Sequence, residues 1–341
     1  MRTWGAVIAA AGLAVMLGAA AEPAGYAWRL PAGVVPPPVP ADNPMTPEKV
    51  ELGRRLFYDA DLSIDGTMSC ATCHEQKHGF TDTNKTRPGV HGDPGRRNIM
   101  SLAGIGWFRA LTWADPRQQT LEAQMLVPVT GLKPVEMGMA GQEAVLAQRL
   151  AKDACYRETF ARVFPEDRGQ ISMATIGKAL AAFERSLTAF DAPYDRDPTA
   201  LSASAQYGQA RFDSDRLHCS SCHAGLHFTD AATSANPFHA LPGDVSRADP
   251  GVAEVSGRWE DAGRFRTPGL RNVAVTSPYL HDGSAPTLET AIARHYAKGD
   301  PGAPAAAETT DIVAFLRALT DDGFLKDPRF ALPMTACGRP L

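Results

Sequence analysis

Apolar residues recur at helical spacing in six windows of this chain, and they seldom alternate as strands require. The first window runs from about Thr46 to Tyr58 (TPEKVELGRRLFY), with a Thr start and Pro47 at the first helical position. Others fall near 142–163, 171–190 (ISMATIGKALAAFERSLTAF), 204–212 and 309–320 (TTDIVAFLRALT). The sixth, TLETAIARHYAKG over 287–299, has a Thr start, a Gly stop and one stripe. Leu288, Ile292, His295 and Tyr296 lie at i, i+4, i+7 and i+8, so a regular helix puts all four on one face. The plain reading of that ending is two amphipathic core residues with satisfied polar tips.

Between the windows lie segments rich in Gly, Pro, Asp and Arg, notably 75–120, which read as long ordered loops. A Pro-rich lead, RLPAGVVPPPVPADNP, cannot be helical and predicts an extended surface path. DAPYDRDPTALS, from Asp191, is the candidate linker, and after it the order of helix, cysteine pair, loop and closing helix repeats. The expected fold is mainly α, one helical module used twice, with long ordered loops and little β structure.

The 341 residues suffice for two cores, and the net charge of -4 offers no basic face for nucleic acid. Residues 1–21 read as a secretory signal, with a basic start, an apolar run and small residues before a cut near Ala21. No later segment is apolar enough to span a bilayer, so export to the periplasm, where disulfides persist, is expected. An extended lead over 22–45, an N-terminal domain over 46–195 and a C-terminal domain over 196–341 follow. Of six cysteines, Cys155 and Cys337 stand alone. A disulfide tying down the tail is the economical reading, with two buried thiols as the other.

The remaining four form Cys70-Ala-Thr-Cys73-His74 and Cys219-Ser-Ser-Cys222-His223. This is the attachment motif of c-type haem: the thiols add to the vinyl groups and the histidine supplies an axial nitrogen. A redox dithiol does not require the trailing histidine, and a zinc site needs further ligands at matching spacing. Two covalently bound haem c groups are therefore expected, with His74 and His223 as proximal ligands and a cytochrome c-like domain around each.

The stretches LGRRLFYD, GRRNIMSLAG, LTWADPRQQTLEAQMLVPVTGLKPVEMG, FRTPGLRNVAVTSPYLHDG and DIVAFLRALT, with the two haem motifs, resemble the bacterial di-haem cytochrome c peroxidase and MauG superfamily. The resemblance spans about Val50 to Thr320, and LTWADP…LEAQMLVP…PVEMG is similar to the MbnH-like subgroup. Members of that subgroup oxidise a tryptophan to kynurenine in a copper-binding periplasmic partner, MbnP. The resemblance implies that Trp113 lies between the haems, where a plain core aromatic is the competing reading. It implies that Gln124, Pro128 and Glu136 form the distal wall of the first haem, although this stretch is about two residues longer than in the peroxidases. Asn98, Thr276 and Pro278 resemble ligands of an interdomain calcium ion, a role suited to oxygen donors. His91 and His78 are loop histidines that could compete for the first iron.

Peroxidases of the superfamily place a methionine opposite the second proximal histidine, but the only Met after His223 is Met334, in the tail. MauG-like members use tyrosine there, and the ending HY-x-x-G resembles that form, which points to Tyr296. By segment length His295 is in register, and it stays as the alternative. The resemblance implies a peroxide-dependent oxidase that forms a high-valent two-haem state and acts on a partner protein. The alternative is a cytochrome c peroxidase reducing hydrogen peroxide to water with electrons from a small donor protein.

Overall fold

A computed structural model of the protein describes residues 25–340, so the expected signal and its cut lie outside the described residues. The chain is mostly helical: α1 (Pro47–Phe57), α2 (Cys70–Cys73), α3 (Leu121–Gln124), α4 (Leu126–Thr130), α5 (Glu143–Leu150), α6 (Ala154–Val163) and α7 (Met173–Arg185) come first. Then follow α8 (Pro193–Arg196), α9 (Ala203–Phe212), α10 (Cys219–Cys222), α11 (Ala253–Ser256), α12 (Leu288–Arg294) and α13 (Ala306–Arg317). Four short strands form two antiparallel pairs, β1 (Phe238–Ala240) with β2 (Arg264–Arg266) and β3 (Thr335–Ala336) with β4 (Arg339–Pro340).

Caps set the helix starts as the sequence suggests. The Thr46, Ser172, Ser202 and Thr287 hydroxyls accept the backbone N–H three residues on, at 3.1–3.2 Å, which satisfies an orphan donor of each first turn. In each half a glycine lets the leading and closing helices touch. A Cβ on Gly53 would stand 1.9 Å from Ala179 O where α1 crosses α7, and one on Gly208 equally close to Asp311 O where α9 crosses α13. Only glycine permits those crossings.

The halves also match in their cores. Phe57 packs on Phe183 at 5.1 Å and on His74 at 6.4 Å. Phe212 packs on Phe315 at 5.3 Å and on His223 at 6.4 Å. The first core also takes in Phe324, Leu325 and Phe330, so the tail placed with the C-terminal domain returns to the N-terminal core. The Cys155–Cys337 disulfide, Cα–Cα 5.8 Å, fixes that return, as the bridge reading expected. Asp191–Ser202 is no loose linker: Ala192 is fully buried, and Asp195 grips Arg271 through two hydrogen bonds of 2.8 and 3.0 Å.

Candidate functional site

Two cavities of about 310 and 300 Å³ open on the two Cys-x-x-Cys-His motifs. In the first, α2 carries Cys70 and Cys73 as free thiols, and burial pushes Cys73 up to about 12. Such thiols are not reactive thiolates. His74 follows, with Nδ1 2.7 Å from Phe80 O. A carbonyl only accepts, so the proton sits on Nδ1 and the Nε2 lone pair is left for a metal. The chain presents that carbonyl by turning through Gly79 and Phe80 at positive φ, 64° and 61°.

Gln124, Pro128 and Glu136 line the same cavity, so the longer 124–136 stretch keeps its carboxyl there. Backbone bonds hold the loop: Met137 N donates to Pro128 O at 3.0 Å, Met139 N to Val129 O at 2.9 Å, and Val90 N to Glu136 O at 2.7 Å. Burial holds the Glu136 carboxyl above the ordinary carboxylate range. His91 and His78 are not in this lining; His91 Nε2 lies against the Gly138 backbone, and His78 closes a 3₁₀ turn.

Trp113 lines both cavities, as do Asn98 and Met100, so it stands in the wall between them. It is 8 % exposed, its Nε1 donates to Asn98 O at 2.7 Å, and its own carbonyl accepts from Arg266 N at 2.8 Å. Both sides of that wall are thus pinned. Asn98, Thr276 and Pro278 all line the second cavity. The Asn98 amide nitrogen donates to Asn84 O and Lys85 O, which turns its oxygen away from those carbonyls.

In the second cavity Cys219 and Cys222 are again free, and His223 Nδ1 lies 3.1 Å from Phe228 O. The residue facing His223 is His295, with ring centroids 6.2 Å apart and planes at 56°. His295 Nδ1 lies 2.8 Å from Ala291 O, so it too turns Nε2 to the space between the rings. Two imidazoles sharing one metal at bonds of about 2 Å stand with centroids roughly 6 Å apart. This spacing fits a single iron. Arg266, fully buried at the same cavity, leaves Nε without a partner. A haem carboxylate is the group such a donor lacks.

Of the two candidates, His295 rather than Tyr296 is the side chain set against the His223 ring. α12 ends at Arg294, and His295 N and Tyr296 N bond three residues back, to Ile292 O at 3.1 Å and Ala293 O at 3.2 Å. A 3₁₀ turn advances each residue by about 120° rather than 100°, yet Tyr296 still packs beside Ile292 and lines the same cavity. Its hydroxyl donates to Leu217 O at 3.2 Å. Met334 is exposed in the tail, far from the required face of α12 in sequence and absent from the cavity lining.

Sequence reasoning missed Arg266 and Glu184. Glu184 sits in ALAAFERSL, four residues beyond Leu180, where a charge interrupts an apolar stripe. That interruption was its one readable signal.

The family model for di-haem cytochrome c peroxidase matches residues 47–200. The methylamine utilization protein MauG of Methylophilus methylotrophus is 34 % identical over 308 residues, 85 % of this chain and 87 % of that protein. The chain belongs to the di-haem cytochrome c peroxidase and MauG family. A cytochrome c551 peroxidase of Pseudomonas aeruginosa is 32 % identical across 86 % of this chain and 83 % of its own. Among solved structures, a MauG-like protein associated with microbial copper homeostasis shares 37 % identity at a TM-score of 0.85, covering 91 % of this chain and 100 % of that one. As a family member the protein is a peroxide-dependent oxidoreductase carrying two haem c groups, one for each Cys-x-x-Cys-His. Among the described residues no helix is long and apolar enough to cross a membrane.

Proposed function

We propose that this is a periplasmic di-haem enzyme that uses hydrogen peroxide to oxidise a tryptophan to kynurenine in a copper-binding, MbnP-like partner protein. The observation that carries the reading is the likeness to the MauG-like protein of copper homeostasis over that protein's whole length. The second cavity supports it, since among the described residues the one methionine in its lining, Met100, has its Sδ 3.0 Å from Arg266 Nη2.

Cys70, Cys73 and His74 hold the first haem, and Cys219, Cys222, His223 and His295 the second. Bound iron supplies the electron chemistry. The Gln124 amide orients peroxide, the Glu136 carboxylate takes a proton from the nearer oxygen and returns it to the departing one, and Pro128 covers the site without offering a donor. Trp113 gives electrons a path through the wall between the cavities. Asn98, Thr276 and Pro278 would hold a calcium ion, partly through backbone oxygens.

His295 itself favours a second reading, a cytochrome c peroxidase served by a small electron-donor protein. A neutral imidazole where MauG-like members have a phenolate is less suited to an oxidised iron and more to electron transfer. Stoichiometric peroxide added to the all-ferric protein, followed by absorption into the near infrared, separates the two. A long-lived oxidised form without prior reduction upholds the oxidase; inertness until half-reduction overturns it in favour of the peroxidase.

A further inference from the structure

We infer that Glu184 is a second proton source for the first haem cavity, supplying the oxygen atom that remains after peroxide is cleaved. The inference rests on the peroxide chemistry proposed above for that cavity. Glu184 lies on α7, one turn beyond Leu180, and both side chains line the cavity with Gln124 and Glu136. It is 8 % exposed, and that remnant opens into the cavity. The adjacent cation does not bond it: Arg185 gives Nη2 to Glu122 at 2.9 Å and Nη1 to Ala181 O at 3.3 Å, and its Nε has no partner among the described residues. Among the described residues the Glu184 carboxyl therefore has no hydrogen-bond partner. An unpartnered buried carboxyl aimed into a cavity is satisfied only by what enters that cavity.

Burial, with the nearby Glu122 carboxylate, pushes Glu184 up to about 8 against the pull of Arg185. The Cys70 thiol also lies within its field. At neutral pH the group is thus a neutral acid with a proton to give. The reaction needs one. Glu136 only moves a proton between the two peroxide oxygens, so breaking the O–O bond and releasing the first water consumes none from outside. The second oxygen leaves as water after gaining two protons, with two electrons from the oxidised substrate: H₂O₂ + 2H⁺ + 2e⁻ → 2H₂O. Glu184 gives one of those protons and reloads from solvent.

The test uses the di-haem holoprotein as wild type, Glu184→Gln and Glu184→Asp. In E184Q the bimolecular reaction with peroxide stays within about twofold, while turnover falls by about a hundredfold, the low end of general-acid effects. The decline of wild-type turnover above about pH 8 disappears in E184Q, and E184D recovers part of the rate. Infrared spectra of the resting protein at pH 7 show a protonated-carboxyl C=O band that shifts in D₂O and is missing from E184Q. This readout needs no turnover, so it stands even if the peroxide reading fails. Wild-type turnover and pH profile in E184Q, or persistence of the band there, would overturn the inference.

Discussion

Exchanging His295 for methionine tests the assignment of the second haem most directly. The His223 and His295 rings stand 6.2 Å apart, each with Nδ1 tied to a carbonyl, so one iron held between them would receive two neutral imidazoles. Replacing one by a thioether raises the potential. A change of on the order of 0.1–0.2 V is a modest part of the roughly 0.8 V that axial ligands span. At about 59 mV per tenfold for one electron, the ratio of reduced to oxidised second haem rises roughly 10²- to 10³-fold at fixed potential. Spectroelectrochemical titration reads this shift, and low-temperature electron paramagnetic resonance reads the change of ligand pair. Tyr296→Phe is the control. It removes a half-exposed hydrogen bond to Leu217 O, a loss of about 0.5–1 kcal/mol, and leaves both spectra and potential unchanged. If Y296F alters the second haem's resonance while H295M does not, the imidazole assignment is refuted and the phenolate restored.

Four further outcomes are expected. Glu136→Gln slows the reaction with peroxide by about 10²- to 10⁴-fold in stopped-flow; because burial raises this carboxyl and the base must be ionised, the wild-type rate falls on acidification from a higher pH than an ordinary carboxylate gives. Trp113→Phe keeps both haems and the first-haem reaction with peroxide, but loses spectral change at the second haem. Asp195→Asn strands the buried Arg271 guanidinium and destabilises the fold by about 3 kcal/mol, a fall in Tm of roughly 6–12 °C by calorimetry. His227, buried without a partner for either nitrogen, is held down to about 3, below the unfolded value of about 6.5. Its contribution is therefore intact above pH 6.5 and is lost as pH falls toward 3, by up to about 1.4 kcal/mol per unit. Urea midpoints at pH 7 and pH 5 should draw together in His227→Phe.

The helices were legible because each carries its own signals. Thr46, Ser172 and Thr287 announce starts that the hydroxyl caps confirm, and the stripe Ile176–Leu180–Phe183 has helical spacing in a helix that is buried on most of its surface. The repeat was legible from the spacing of the two haem motifs. The course of the tail was legible only through the Cys155–Cys337 pairing: Phe324 and Phe330 are apolar in any setting, and nothing in their own pattern tells which of two similar cores they join. Arg266 was hidden for the opposite reason, since a charged residue ending a three-residue strand reads as solvated until both its neighbours are seen to be buried.

The contest between His295 and Tyr296 shows where local reasoning stops. A regular helix puts both on the stripe of Leu288 and Ile292, so periodicity admits either. The last turn tightens to bonds of three residues; Tyr296 gives its hydroxyl to Leu217 O, while His295 keeps its Nδ1 contact with Ala291 O and faces His223. The hydroxyl partner of Tyr296, Leu217 O, lies 79 residues away in sequence. Which of the two side chains faces His223 is therefore a matter of contacts between elements, which periodicity does not carry.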